Sequence, residues 1–479
     1  MKSRTRHLLQ KTALAAAIAG ISAPASASFF AIAEQSASGL GTAFAGGAAI
    51  AEDASTVWYN PAGMTRLDRP QLILGGSYLD INIKTNSVSA STVNLGAIPS
   101  LPISGGAGQN PGESAFVPNL YYVHPLSKDF SVGAGINAPF GLVTEYDSSW
   151  AGRYHAVKSD IKTINYNLGA GYRFDDVWSG GAGVSYQHLK AELTQAIDFA
   201  TLCNLAVGGG VAAAANCAFP NFSQPNNPND GFAKVTADSN AWGYNLGLLA
   251  QLPNDFRVGV AYRSKITHHL KGDFDATVPT PAAPAGAAGA TAAAAATFGI
   301  ADTGAKSDVV LPATLSISAV QQIGQWALMA DVSQTYWSQL KELRIRFDPV
   351  QPVAQADSVV TLNLKNTMRV SVGATYKLND AWTLRGGFAW DQTPVTSAEN
   401  TTPRLPDADR TWYAIGAGWQ LSRSWAFDFG YVMIKADDAH VRKTASAAPP
   451  NENVSRGNLS ADYSGSSIQV FSAQARWTF

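Results

Sequence analysis

Period two dominates the pattern of apolar and polar positions along this chain. From residue 471 to the end, Phe471, Ala473, Ala475, Trp477 and Phe479 fall on one face, and Ser472, Gln474, Arg476 and Thr478 fall on the other. That alternation is the signature of an extended strand with one apolar side. In residues 164–174, Ile164, Tyr166, Leu168, Ala170, Tyr172 and Phe174 oppose Asn165, Asn167, Gly169, Gly171 and Arg173. Residues 368–378 and 382–390 repeat the pattern, and Trp425, Phe427, Phe429, Tyr431 and Met433 form another stripe. The pattern predicts 14 strands, at about 70–84, 114–126, 128–139, 160–174, 177–198, 239–253, 255–273, 307–322, 325–347, 359–378, 380–393, 409–421, 423–440 and 464–479. An even number of antiparallel strands is what a bacterial outer-membrane barrel requires. The predicted fold is therefore all-β, a 14-stranded antiparallel transmembrane β-barrel.

Alternation alone does not say which face is inside, and a soluble β-sandwich would turn its apolar face inward. Three features favour lipid outside: aromatic residues near strand ends, the number of strands, and small Gly and Ala residues on the other faces. The chain holds 43 Gly, 16 Tyr, 12 Trp and 20 Phe. Arg476 cannot face hydrocarbon without cost, so its side of the last strand points into a wet lumen. Tight links at Leu126-Ser127-Lys128, Phe174-Asp175-Asp176, Pro253-Asn254-Asp255, Leu378-Asn379-Asp380 and Leu421-Ser422-Arg423 are expected on the periplasmic side. The long connections between them are expected outside the cell. Several strands exceed the roughly 10 residues that cross a bilayer, so the barrel should project above the outer surface.

The N-terminus has the form of a secretory signal. Lys2, Arg4, Arg6 and Lys11 precede a short apolar run at residues 12–21, and Ala25-Ser26-Ala27 is a small-residue cleavage site. Residues 1–27 are expected to be removed, leaving Ser28 first. The leader's four cations leave 30 Lys and Arg against 35 Asp and Glu, a net charge of −5. That balance is no footprint for nucleic acid. Cys203 and Cys217 in an exported chain point to a disulfide. Metal binding would need His or acidic ligands at metal spacing near them, and none is there.

Three stretches do not read as wall. Residues 28–69 are rich in Gly, Ala and Ser, with a turn at Asn60-Pro61. Their charge is too low and their apolar content too high for a disordered tail. A plug, or hatch, inside the lumen accounts for them better, since a 14-stranded barrel leaves an open channel unless filled. Residues 70–479 then form the barrel. Its two long outer loops, at about 199–238 and 274–306, carry Ala-rich runs, among them residues 211–215. Ala favours helix, and a helical loop with an apolar face would catch greasy molecules at the rim. The third strand ends in Asn137-Ala138-Pro139-Phe140-Gly141. Pro belongs at a strand edge, end or bulge, so this segment either simply ends the strand or breaks the wall.

Catalytic chemistry finds no support. His124, His155, His188, His268, His269 and His440 sit in no nucleophile or metal motif. His268 and His269 are adjacent, so on a strand they point to opposite faces. No catalytic residue, metal or cofactor is assigned. A general porin for hydrophilic solutes, an adhesin or a phage receptor are rival readings, and the plug argues against the porin.

The stretches EQSASGLGTAFAGGAAIAEDASTVWYNPAG (34–63), NAPFGLVTEYDSSWAGRYHA (137–156), LPATLSISAVQQIGQWALMADVSQTYWS (311–338) and LPDADRTW (405–412) occur in this order. Together they resemble the FadL/TodX family of outer-membrane channels for long-chain fatty acids and other hydrophobic compounds, over nearly the whole mature chain. The resemblance implies an N-terminal hatch, with Asn60, Pro61 and Ala62 as its motif. It implies a first resting groove on the two long outer loops, a deeper lumen pocket near the mature N-terminus, and lateral release at a wall kink. Asn137, Pro139, Phe140 and Gly141 match the kink, and Phe30 matches a pocket-lining position. Phe29, Phe30 and Ile32 are expected to wall the pocket. Family cations for a carboxylate head group do not transfer: the stretch near Glu192 to Ile197 offers only Gln195. Lys365, Arg369 or Arg410 would have to serve, which leaves room for neutral aromatic or aliphatic hydrocarbons as ligands. The expected partners are the hydrophobic ligand, outer-membrane lipid and lipopolysaccharide, and the barrel-assembly machinery, which would recognise the terminal Phe479. A monomer is expected.

Overall fold

In a computed structural model of the chain, residues 29–96, 99–208, 230–280, 287–350, 353–448 and 451–479 are described. Residues 1–28, which include the expected leader, and Cys217 lie outside them. The wall consists of β1 (Gln71–Asn82), β2 (Ala115–Pro125), β3 (Phe130–Asn137 and Gly141–Glu145), β4 (Lys158–Arg173) and β5 (Trp178–Asp198). It continues with β6 (Asp230–Leu252), β7 (Phe256–Arg263 and Ile266–Thr277), β8 (Thr303–Leu311 and Thr314–Ile323), β9 (Trp326–Thr335 and Glu342–Phe347) and β10 (Ser358–Thr361 and Thr367–Lys377). It closes with β11 (Trp382–Asp391), β12 (Arg410–Gln420), β13 (Trp425–Ala436) and β14 (Ser467–Thr478). Each strand pairs antiparallel with its neighbours. The register Gln71↔Thr478 through Asn82↔Ser467 joins first to last, so the barrel has 14 strands and no free edge there.

Four of the periplasmic turns share one chemistry. The N–H groups of Leu126, Phe174, Leu378 and Leu421 donate to the carbonyls of Phe130, Trp178, Trp382 and Trp425, at 2.8–3.0 Å. In each turn a short polar side chain, Ser127, Asp175, Asn379 or Ser422, accepts the N–H of that same aromatic residue, at 2.7–3.1 Å. Such side chains stabilise tight turns, and the fixed spacing places one aromatic ring at the start of each of these four returning strands.

Alternation along the longer strands inverts part-way up. On β5, Val184 and Tyr186 face outward while Ser185 and Gln187 are buried inside. Higher on the same strand Lys190 faces outward and Leu189, Ala191 and Leu193 are buried inside. The lower wall thus meets lipid outside and polar groups inside, and the upper wall meets water outside and an apolar interior. This inversion explains where the predicted boundaries slipped. β6 begins at Asp230, not near 239, and β7 runs to Thr277. Their outer ends alternate with charges on the outside and therefore do not resemble membrane strands.

Residues 29–69 lie against lumen-facing positions as short helices, α1 (Ala37–Leu40) and α2 (Thr56–Tyr59), and a 3-10 turn (Pro61–Arg66). Asn60 ties this segment to the wall. Its Nδ2 donates to the Ala48 carbonyl at 2.6 Å and to that of Leu248 at 3.1 Å, while its Oδ1 accepts the Ala62 N–H at 3.0 Å. Pro61 takes the first position of the turn, where its missing N–H costs nothing. Arg385 bonds Asp428 at 2.8 Å and reaches Glu52 at 3.4 Å, and Gln474 donates to Asp53 at 3.0 Å. Arg476 donates to the Glu52 carbonyl at 3.3 Å, so its face of β14 is lumen. Close contact depends on two glycines: a Cβ at Gly247 would lie 1.9 Å from Asn60 Oδ1, and one at Gly259 1.9 Å from the Ala48 carbonyl oxygen. Gly259→Val should push the segment off the wall, and single-channel conductance in planar bilayers should rise above that of the parent. Unchanged conductance would mean the segment does not seal the lumen.

Candidate ligand pathway at the broken third strand

At the broken third strand the ladder of the wall is interrupted, and the interruption opens on an apolar cavity. The first piece of β3 pairs with β2 only from Leu120↔Ile136 to Pro125↔Ser131. The second piece, Gly141–Glu145, pairs with β4 alone. Ala115 to Asn119 on β2 therefore bond to β1 on one side and to no strand on the other. Above the break the wall resumes, where the Glu145 N–H donates to the Pro111 carbonyl at 2.9 Å. The gap runs for about 15 Å along the strand at the usual rise per residue. Pro118 sits on the free stretch of β2 and Pro139 inside the break of β3. A residue without a backbone N–H fits a wall edge that lacks a partner.

The N-terminal segment covers the break from inside. The Ile32 N–H donates to the Pro139 carbonyl at 2.8 Å, and the Gly141 N–H donates to the Phe30 carbonyl at 3.0 Å. These two bonds flank the antiparallel bridge between Ala31 and Phe140. Gln35 Nε2 adds a bond to the Ala138 carbonyl at 2.9 Å. Thr163 closes the other side: its Oγ accepts the Phe140 N–H at 3.0 Å. A Cβ at Gly141 would meet the end of the Ile32 side chain at 2.9 Å, so the N-terminal segment packs directly on this position. Asn137, Pro139, Phe140 and Gly141 thus all stand at the break, and the Pro139 carbonyl and the Gly141 N–H are bonded by a segment that is not part of the wall.

Behind the break lies a cavity of about 360 Å³. Phe29, Phe30 and Ile32 line it, together with Phe116, Phe140, Leu142, Ile161, Leu405 and Trp412. Its size and apolar lining are those of small-ligand sites. Phe30 and Phe140 also join a buried aromatic group around Trp337, whose ring lies 5.1 Å from Phe30, 5.5 Å from Phe29 and 6.3 Å from Phe140. Such pairs contribute about 0.5–1.5 kcal/mol each beyond area burial. Trp337 was not singled out from the sequence; the predicted strand 325–347 runs through it, whereas the chain breaks there into a 3-10 turn between the two pieces of β9.

The sequence candidates for a head-group cation do not converge. Arg410 lines the apolar cavity, ion-paired with Asp407 and 3.5 Å from the Phe29 carbonyl. Arg369 lines a second, smaller cavity of about 150 Å³ and donates to the Ala43 carbonyl at 2.8 Å. Lys365 is exposed. The cation beside Gln195 is instead Arg404, whose Nη2 donates to Gln195 Oε1 at 2.9 Å. It comes from a distant loop, so strand alignment has no means of finding it.

Above these cavities an outer groove of about 840 Å³ runs beneath two helices, α3 (Phe199–Gly208) and α4 (Ala287–Phe298). Both long loops are thus partly helical. Asp198 caps α3 by accepting the Thr201 N–H at 2.9 Å. Phe199, Leu202 and Cys203 pack against Ala290, Ala294 and Ala295. Residues 211–215 lie outside the described residues, so the first helix is the stretch before that run. Cys203 is buried and is not a free thiol. Leu343 and Val360 line the groove and pack on the same cluster as Trp337, so that cluster stands between groove and lower cavity.

Arg404 and Arg456 are buried at the groove's edge beside His155. His155 donates to the Gly457 carbonyl at 3.1 Å, and burial, then the charges of Arg456 and Lys443, push its pKa down to about 3. A depressed histidine stabilises the packing of these outer loops fully above its ordinary value near 6.5, and that stabilisation is lost as pH falls toward about 3. Proteolysis of the outer loops should therefore accelerate over that interval, and His155→Asn should flatten the dependence. For the lower cavity, Phe30→Ala should weaken binding of a fluorescent fatty acid at least tenfold; equal affinity would remove Phe30 from the site.

Residues 18–479 match the family model described as outer membrane protein transport protein (OMPP1/FadL/TodX). The chain is 31% identical to a long-chain fatty acid transport protein of Escherichia coli O6:H1 over 428 residues, covering 89% of this chain and 91% of the relative. Among solved structures, it superposes on a Pseudomonas aeruginosa FadL homologue with a TM-score of 0.79 at 25% identity, covering 94% of this chain and all of that one. It also superposes on the Pseudomonas putida toluene transporter TodX with a TM-score of 0.65 at 16% identity, covering 95% and 100%, a likeness of fold.

Proposed function

The chain belongs to the outer membrane transport protein family OMPP1/FadL/TodX, and on that premise we propose that it takes up long-chain fatty acids by passive, lateral transfer. The family's members are outer-membrane transporters of fatty acids or hydrocarbons. In the proposed route the ligand settles first in the groove beneath α3 and α4, passes the Trp337 cluster into the cavity behind Phe30 and Phe140, and leaves through the break in β3. The observation that carries this reading is the N-terminal segment hydrogen-bonded into the break in β3, where the ladder opens on an apolar cavity. Burial of apolar surface at roughly 25 cal/mol per Å² supplies the affinity. Displacement of residues 30–32 opens the exit and removes one wall of the site at once, so binding weakens as release becomes possible. A disulfide between Cys203 and Cys217 would brace the outer loop in this reading.

A second reading, uptake of neutral aromatic or aliphatic hydrocarbons, draws support from the lower cavity, whose arginine is ion-paired with Asp407. Its fold neighbour TodX is named a toluene transporter. Competition between labelled oleate and toluene separates the two.

Ala31 and Phe140 form a non-hydrogen-bonded antiparallel pair, the closest cross-strand arrangement, and their separation suits a disulfide. Ala31→Cys with Phe140→Cys should stop uptake by whole cells when oxidised and recover it on reduction. Full uptake by the oxidised form would contradict lateral release.

A further inference from the structure

The inverted upper wall leaves a charged belt on its outer face. Tyr166, Tyr186 and Trp242 stand side by side across β4, β5 and β6, marking the outer membrane–water boundary. Four residues further out, one register row reads Lys162, Lys190, Asp238, Lys271, Lys306 and Arg346 across six neighbouring strands, β4 to β9. All six are exposed. Elsewhere on the barrel, Tyr431, Phe471 and Tyr78 form the equivalent aromatic row, and the positions four residues out are Lys435, Ser467 and Asn82. The cationic row therefore belongs to one side of the barrel, not to a uniform rim.

Acidic residues accompany the row, mostly beyond it from the membrane. Asp160 bonds Lys162 at 2.7 Å, and Glu192 lies beside Asp160 in the next row and bridges Lys158 and Lys234 at 3.6 and 3.3 Å. Lys306 pairs with Asp348, and Arg346 with Asp308, which also meets His269 at 2.6 Å. Among the described residues, Lys190 and Lys271 have no ion-pair partner; they flank Asp238 in the register, about 10 Å apart at the usual strand spacing. The layering is an apolar girdle, then a row made mostly of cations, then a rim where acids and further cations, Lys158 and Lys234 among them, alternate. It matches an outer-leaflet lipid with acyl chains below, phosphates at the boundary and sugars above.

We propose that the outward face of β4 to β9 is a docking surface for the phosphorylated sugar head of lipopolysaccharide, with Lys190 and Lys271 as its principal phosphate contacts. This is independent of the transported ligand, because the row faces away from the lumen. Phosphates bound here anchor the upper wall beneath the outer groove and fix its height relative to the leaflet. The favourable term is electrostatic and partly screened, so it falls with ionic strength.

The test uses the full-length protein folded in detergent, and vesicles carrying bis-phosphorylated lipid A, dephosphorylated lipid A or phosphatidylglycerol. The parent should bind phosphorylated lipid A at least tenfold more tightly than either other lipid, and increasingly weakly from 0.05 to 0.5 M salt, about the range over which surface charges become screened. Lys190→Gln with Lys271→Gln should abolish that preference, and Lys435→Gln should keep it. Heat-modifiable migration on gels shows whether each variant is folded. Equal binding of phosphorylated and dephosphorylated lipid A by the parent, equal binding of phosphatidylglycerol, or an unaltered preference in the folded double variant would each overturn the proposal. The parent's lipid preference and salt dependence decide the matter alone if the double variant does not fold.

Discussion

Hydrocarbon offers the peptide backbone no hydrogen-bond partner, and every feature of this barrel follows from meeting that demand. Fourteen strands satisfy one another around a closed circuit, with β14 completing the ladder of β1 over twelve paired positions. The break in β3 is the informative exception. There the wall abandons its own ladder, and the backbone groups of Pro139 and Gly141 are taken up by Ile32 and Phe30 from inside. A wall opening at membrane depth is tolerable only while something else satisfies it. The segment that does so is also the one whose side chains form the cavity. In the proposed route, exit and binding site are therefore coupled through the same three residues, with no separate gate required.

The second organising fact is the inversion of the wall. Below the girdle, the lumen is polar and holds the N-terminal segment through hydrogen bonds and ion pairs, among them Arg385 with Asp428 and Asn60 with Ala48 and Leu248. Above it, the interior is apolar, through Leu189, Leu193, Phe274 and Ile345. A hydrophobic solute arriving from outside thus meets greasy surface before it meets polar lumen. The constriction at Trp337 lies between the outer groove and the cavity at the break, and the polar lower lumen lies beyond it. The arrangement favours sideways exit over axial passage, since moving an apolar chain down a polar, filled lumen would forfeit the burial that drew it in.

Much of this was legible from the sequence because period-two alternation reports directly on a wall with unlike sides. All fourteen strands, the turn residues Ser127, Asp175, Asn379 and Ser422, and the lumen face of Arg476 follow from that rule. The break could be located at Pro139 but not interpreted, because the partners that satisfy it, residues 30–32, lie more than a hundred positions away. Boundaries failed where alternation changes meaning: the outer ends of β6 and β7 carry Lys234, Asp273 and Asp275 outside, which mimics a polar loop. Trp337 and Arg404 were invisible for a different reason. Both come from irregular segments, and only the closed barrel brings them beside Phe30 and Gln195.

The central claim is that ligand leaves through the side of the barrel at the break. The most direct measurement is photo-cross-linking of a long-chain fatty acid bearing a terminal diazirine in outer-membrane vesicles, with adducts mapped by mass spectrometry. Lateral transfer predicts adducts on Phe116, Leu142 and Ile161, which line the cavity behind the gap, and on lipid beside them. Adducts confined to the lower lumen, around Thr65 and Arg257, with none at the gap, would contradict it.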